Sequence, residues 1–240
     1  GRRWTRPHVR EALAAWWYTE RIDPGGTRHV IDKNLALLRA MGVDAASRAL
    51  RLDEGPASPH LTPFVSGRHG PFALLNPGGN WPNKRWSADR FGELAAWLRD
   101  VHGLYSLELW GPGDEPLADA VAEASDGAAS RAPATSLADV VALSRQAALM
   151  VSGDTGPAHF ACAVGTPVVG VYGPTDPRRN GPWHPDDQCV SRFDACECHH
   201  ERSCHAPRWC LLDVSVEEVK AAVTRRLAAS RAAGRPGQPS

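Results

Sequence analysis

From Phe72 to Tyr172, short apolar runs alternate with helix-length segments, and this alternation constrains the fold more than any other feature of the chain. Strands read at Phe72 to Leu75, Leu104 to Trp110, Ala147 to Val151 and Pro167 to Tyr172, with a weaker one at Ala128 to Ala132. Helical patterns lie between them. They run from Ser87, a candidate cap, to Val101 with Phe91, Leu94, Ala95 and Leu98 inward, from Glu115 through Ser125, from Ser136 to Gln146, where Ser136-Leu137-Ala138-Asp139 resembles a capping box with Asp in place of Glu or Gln, and from Ala158 to Val164. Apolar residues every three or four positions mark a helix with one buried face, whereas a continuous short apolar run marks a strand buried on both sides. Strands joined by helix-length crossovers pair in parallel. The expectation is therefore an α/β fold, a parallel sheet with helices on both faces, whose ligands bind beyond the strands' C-terminal ends.

The flanks are less regular. Val9 to Tyr18 and Thr27 to Met41 read as helices separated by Asp23-Pro24-Gly25-Gly26, the second ended by Gly42. Trp16, Trp17 and Tyr18 offer either helix packing or a stacking surface. Val43 to Gly70 reads as a linker with room for one short strand. Val214 to Ala229 is a terminal amphipathic helix capped by Ser215, with Glu217 and Glu218 in its first turn, and residues from Gly234 onward are expected to be a disordered tail. Lys and Arg total 27 against 27 Asp and Glu, so bulk attraction to nucleic acid or anionic membrane is not suggested. No apolar run approaches the ~20 residues of a membrane span. The chain starts Gly1-Arg2-Arg3-Trp4, without Met or a signal-type apolar region, and reads as a cut.

Three strand-end loops carry the chemistry. Gly153-Asp154-Thr155-Gly156-Pro157-Ala158-His159 makes a tight turn into a helix: Asp154 or Thr155 can cap it, Pro157 suits its first turn, and its free N–H groups suit an anion. Pro77-Gly78-Gly79-Asn80 lets backbone approach a ligand, and Lys84, in Lys84-Arg85-Trp86, supplies charge for phosphate oxygens. Glu115 either favours the dipole of its helix or accepts ribose hydroxyls. Neither G-x-G-x-x-G nor a Walker loop occurs, which argues against a generic dinucleotide oxidoreductase or NTPase. Arg179 and Trp183 sit in a loop able to close over a ligand. Of six cysteines, five crowd between Cys189 and Cys210 with His199, His200 and His205 interleaved. Cys196, Cys198, Cys204 and Cys210 read as a structural metal site, as reduced thiols or as disulfides; the C-x-C spacing is not that of paired zinc knuckles.

Asn76-Pro77-Gly78-Gly79, Lys84-Arg85-Trp86, Trp110-Gly111-Pro112-Gly113-Asp114-Glu115 and Asp154-Thr155-Gly156-Pro157-Ala158-His159 together resemble glycosyltransferase family 9, the ADP-heptose:lipopolysaccharide heptosyltransferases. The resemblance covers Pro71 to Trp183 well, and the cysteine pattern before the last helix also recurs in the family. It implies a GT-B architecture of two Rossmann-like domains, with residues 67–233 the C-terminal donor-binding domain, 1–66 the end of the N-terminal acceptor-side domain with its linker, and 234–240 the tail. The implied reaction is inverting transfer of a heptose-type sugar from a nucleoside diphosphate, ADP-heptose, to a lipid-linked lipopolysaccharide core acceptor. It needs no cofactor, and is placed in the cytoplasm at the inner membrane face, with any membrane contact made through the N-terminal domain. By matching position, Lys84 neutralises the donor pyrophosphate, Gly78 and Gly79 line its pocket, Glu115 holds the ribose, Thr155 and Gly156 meet phosphates, and Asp154 and His159 orient the sugar or phosphates. The family's general base is an Asp early in the N-terminal domain, and no position here matches it. A donor half without that domain would be inactive alone. The alternatives are a non-catalytic nucleotide-sugar-binding protein and a relative that glycosylates a protein acceptor.

Overall fold

The computed structural model describes Glu20 and residues 22–44, 52, 55–66, 70–199, 201–202 and 204–233. The expected helix at Val9 to Tyr18 and the tail from Gly234 lie outside these residues. The chain divides into two compact units, residues 1–49 with 178–180, and residues 50–177 with 181–240. In the first unit, α1 (Val30–Ala40) begins where His29 Nδ1 accepts the Ile31 N–H at 3.2 Å. It ends before Gly42, whose φ of +82° is open to glycine without steric cost.

The second unit holds the sheet. Its strands are β1 (Phe72–Asn76), β2 (Tyr105–Glu108), β3 (Ala129–Arg131), β4 (Leu149–Ser152), β5 (Val168–Tyr172) and β6 (Gln188–Ser191). All pairings are parallel in the order β3-β2-β1-β4-β5-β6, so strand order reverses between β1 and β4. That crevice is where a doubly wound fold binds its ligands. The helices α3 (Ala88–His102), α4 (Glu115–Ala124), α5 (Leu137–Gln146) and α6 (Gly156–Val164) cross between strands, and α8 (Val216–Ala232) closes the unit. The short helices α2 (Thr62–Val65) and α7 (Pro177–Asn180) lie outside this alternation.

The pleat sorts the core into two layers. Ala73 and Leu75 of β1 join Phe91, Leu94, Leu98, Val121, Val219 and Val223, while Phe72 and Leu74 join Val140, Leu143, Ala158 and Ala161. Alternate residues of a strand point to opposite faces, so a central strand with every residue buried feeds both layers. The inward residues expected on α3 are all buried. Helices α3 and α4 approach closely at Gly92, where an added Cβ would lie 2.6 Å from the Ala124 carbonyl carbon. At the sheet's far side Arg226 Nε donates to Asp187 Oδ1 at 2.7 Å, and both side chains are 1% exposed.

Three expectations change. Residues 55–66 hold no strand; Pro59–Leu61 forms a 3-10 turn that runs into α2. Leu61 is fully buried against the α5 side of the core, and the Phe64 ring meets Phe72 edge-on at 6.3 Å. So few residues carry no periodicity, and the segment owes its order to what it packs on. Strand β6 had no sequence signal because, at the edge, only Val190 of its four residues is buried. Ser87 stands at the N-terminus of α3, but its side chain makes no capping hydrogen bond. The expected caps on α5 and α8 are present as full capping boxes, Ser136 with Asp139 and Ser215 with Glu218.

Candidate functional site

A cavity of about 760 Å³ opens at the C-terminal ends of β1, β2 and β4. Gly78, Gly79, Asp154, Thr155 and Gly156 line it, as do Asn76, Arg85, Leu109, Trp110, Asp114 and Leu137. Five of the eight residues singled out from sequence therefore meet on one wall. Lys84, Glu115 and His159 are not among the lining residues, and Lys84 and His159 adjoin the lining through Asp154.

Lys84 ends the 3-10 turn Pro82–Lys84, and its Nζ reaches Asp154 Oδ2 at 2.7 Å while lying 4.4 Å from the Trp81 ring centre. Both partners are largely shielded, 18% and 12% exposed, so the attraction is screened less than that of a surface pair. His159 Nε2 lies 3.9 Å from the other oxygen, Asp154 Oδ1. Asp154 thus sits between a lysine from one loop and a histidine on α6. An entering anion meets Lys84 already held at the cavity's edge, with the N–H groups that open α6 beside it.

Neither Asp154 nor Thr155 caps α6 by a side-chain hydrogen bond. Thr155 is used differently. Asn76 Nδ2 donates to Thr155 Oγ1 at 2.7 Å and to Ser152 Oγ at 3.0 Å, and the two hydroxyls lie 2.9 Å apart. This bonded trio ties the end of β1 to the turn after β4 and leaves the α6 N-terminus facing the cavity. Asn76 was legible as part of a motif but not in this role, because its partners are 76 and 79 residues away.

The two-glycine loop is clipped in the same way. Arg85 donates through Nε to the Gly79 carbonyl and through Nη2 to Asp114 Oδ1, both at 2.8 Å. An added Cβ at Gly78 would lie 2.6 Å from Asp114 Oδ2, so a side chain there would push the Asp114 carboxylate aside. At Gly156 nothing lies within 4 Å of an added Cβ. Glu115 turns its carboxylate back onto the Gly113 N–H at 2.7 Å, at the start of α4. Asp114 takes the neighbouring place on the cavity wall, and sequence reasoning passed over both it and Arg85 as ligand-facing groups.

Asp154, Thr155, Gly156 and the glycine loop make one end of the cavity polar, while Leu109, Trp110, Ala134, Leu137 and Val140 make another wall largely apolar. Trp110 is fixed by donating from Nε1 to the Ala132 carbonyl at 2.7 Å. A polar end beside a helix N-terminus and an apolar wall match the two halves of a nucleotide.

The cysteine segment stands apart from this cavity. Cys198 Sγ is 2.6 Å from Cys204 Sγ and 3.8 Å from His205 Nδ1, which in turn is 3.0 Å from Glu201 Oε2. One ligand atom each of Cys198, Glu201 and His205 falls within 4.8 Å of the others. Cys196 and Cys210 pair with each other, so the four thiols fall into two pairs. His199 stacks on Phe193 with ring centres 4.0 Å apart.

By fold this is a doubly wound α/β domain with a cavity at the β1/β4 crevice. Residues 4–210 match glycosyltransferase family 9 (heptosyltransferase), and the chain belongs to that family. It is 29% identical over 166 residues to lipopolysaccharide heptosyltransferase 3 of Escherichia coli, a match covering 65% of this chain and 47% of that protein. The glycosyltransferase family 9 structure from Veillonella parvula DSM 2008 superposes with a TM-score of 0.72 at 24% identity, over 88% of this chain and 63% of that one. The E. coli heptosyltransferase WaaC with ADP gives 0.65 at 22% identity, over 92% and 63%. The chain spans about half the length of the curated relatives it matches.

Proposed function

We propose that this chain is the donor-binding part of a glycosyltransferase that moves a heptose-type sugar from a nucleoside diphosphate, ADP-heptose, to a lipopolysaccharide core acceptor in the cytoplasm. The observation that carries the reading is the Lys84–Asp154 pair, 2.7 Å apart, held beside the N-terminus of α6 at the edge of a cavity also lined by Leu109, Trp110, Leu137 and Val140. The diphosphate lies across Gly78, Gly79, Thr155 and Gly156, and the base against Trp110 and Leu137. Glycosyl transfer leaves negative charge on the departing diphosphate. A lysine and a helix N-terminus fixed beforehand stabilise that charge without reorganising. Asp154, held between Lys84 and His159, is assigned to orienting the donor rather than to accepting the acceptor's proton. Glu115 reaches the ribose if its carboxylate leaves Gly113. The domain assignment also rests on this reading: 67–233 as donor domain, preceded by acceptor-side residues and linker.

Calorimetry with ADP on the 240-residue chain tests it, since a ligand that binds only the folded state at 100 times its Kd adds about 2.7 kcal/mol of stability. Lys84→Ala should weaken ADP about tenfold or more, the scale of one charge-assisted contact. Asp154→Ala should cost less for ADP than for ADP-heptose. A wild-type chain indifferent to ADP, or a folded Lys84→Ala protein binding it unchanged, would overturn the assignment.

We further propose that Cys198, Glu201 and His205 hold a zinc-type divalent cation with a structural role. A thiolate, a carboxylate and an imidazole within 4.8 Å form a donor set suited to that ion.

A further inference from the structure

The apolar wall of the cavity is fastened from outside by the segment that precedes β1. Between β3 and α5 the chain runs from Ala132 to Ser136 with no regular structure, and Ala134, Thr135 and Ser136 line the cavity. Such a loop keeps its shape only through individual contacts. His60 Nε2 meets the Ala134 carbonyl oxygen at 3.0 Å. Ser136 is gripped by Asp139, whose Oδ2 accepts from the Ser136 N–H at 2.9 Å and from its hydroxyl at 2.8 Å.

With the Ser136 Oγ accepting the Asp139 N–H at 3.2 Å the capping box is complete, yet Asp139 does more. Its Oδ1 accepts the Ser58 N–H at 2.7 Å and its Oδ2 the Ser58 hydroxyl at 2.8 Å, from a residue 81 positions away. The carboxyl is 1% exposed. The four donors hold it in its charged form, with a pKa lowered to about 2 despite burial. Leu61, fully buried, and Phe64, packed on Phe72, anchor the same segment a few residues on. Residues 58–64 therefore form a strap whose polar contacts end on the cavity loop and on the first turn of α5, from which Leu137 and Val140 also face the cavity.

We propose that this strap sets the shape of the wall against which the nucleobase packs, making Asp139, Ser58 and His60 positioning residues for donor affinity and base selection. The inference rests on the donor-cavity reading above. It separates the two ends of the cavity: the strap touches the apolar wall and leaves the Lys84 end alone, so its loss should be felt by a nucleotide and not by a bare diphosphate.

The test compares ADP with inorganic pyrophosphate by calorimetry on the 240-residue chain. Ser58→Ala leaves the capping box intact, and should raise the Kd for ADP about threefold to tenfold, a part of what one hydrogen bond to a charged group is worth because Ser58 acts through the wall and not on the ligand, with pyrophosphate within about twofold of wild type. Ser58→Thr, which keeps the hydroxyl, should restore ADP binding. Asp139→Asn should exceed Ser58→Ala in its effect on ADP. Because coupling is reciprocal, ADP should slow hydrogen exchange of the Ser58 amide, and pyrophosphate should not. Unchanged ADP affinity in Ser58→Ala and Asp139→Asn, or equal losses for both ligands, would overturn the strap's role while leaving the donor cavity standing. A wild-type chain that binds neither ligand would remove both.

Discussion

Among single residues, Glu108 is the one whose surroundings fit its chemistry least. It lies on β2, wholly buried, and neither carboxylate oxygen has a hydrogen-bond partner among the described residues. Burial without compensation pushes its pKa well above the ordinary carboxylate value. The sign of the consequence is fixed. Above the pKa of an unfolded glutamate the unfolded chain gives up a proton that the folded chain keeps, so the folded state binds more protons and stability falls as pH rises. Glu108→Gln should therefore raise the melting temperature at pH 7, and the gain should shrink towards pH 4, where both states are protonated. Equal gains at the two pH values, measured by thermal denaturation, would show that ionisation is not the cause. Asp139 is the opposite case: its lowered pKa gives stability present at neutral pH and lost as pH falls from about 4 towards 2. The sequence marks only one of these two carboxylates. Asp139 was recognised through its box with Ser136, whereas Glu108 lies in a stretch that reads only as a strand, and its isolation depends on the helices laid over it.

Among elements, α3 and α4 show how close contact is written into composition. Gly92 lies on the buried face of α3, and an added Cβ there would meet the Ala124 backbone and side chain at 2.5 to 2.7 Å. Gly92→Ala removes a helix-weakening glycine, which alone favours folding by about 1 kcal/mol, but forces two helices apart at a backbone contact. Overpacking of that kind costs about 1 to 3 kcal/mol, so a net loss of stability is expected in urea denaturation. A more stable variant would mean that the helices shift freely. The same reasoning explains which elements were legible. Helices α3, α5 and α8 and strands β1, β4 and β5 carry long buried faces or full capping boxes, signals local enough to read. The 3-10 turn at Pro59–Leu61 and β6 carry one buried apolar residue each, α2 offers the half-buried Phe64, and their partners lie across the fold.

For the whole molecule the cysteine segment offers the clearest test, because a metal joining Cys198, Glu201 and His205 would tie the chain before α8 into a closed loop. Zinc added to chelator-treated protein should raise its melting temperature and bind at one ion per chain, and Cys198→Ser should abolish both effects. Stabilisation that survives Cys198→Ser would point to other ligands, Cys196, Cys204 and Cys210 among them, rather than this trio. By itself the sequence determined the alternation of strand and helix, the parallel sheet, the caps of α5 and α8, and the placing of Gly78, Gly79, Asp154, Thr155 and Gly156 on strand-end loops, because periodicity and turn chemistry are local. Tertiary structure alone decided that Lys84 meets Asp154, that Asn76 holds Thr155, that Arg85 clips Gly79 to Asp114, that Glu115 is turned onto Gly113, and that Ser58 grips Asp139. All but the Glu115 turn join loops that the sheet's strand order brings together. Hydrogen bonds and ion pairs depend on distances of a few tenths of an ångström, and those are set only when the layers have packed.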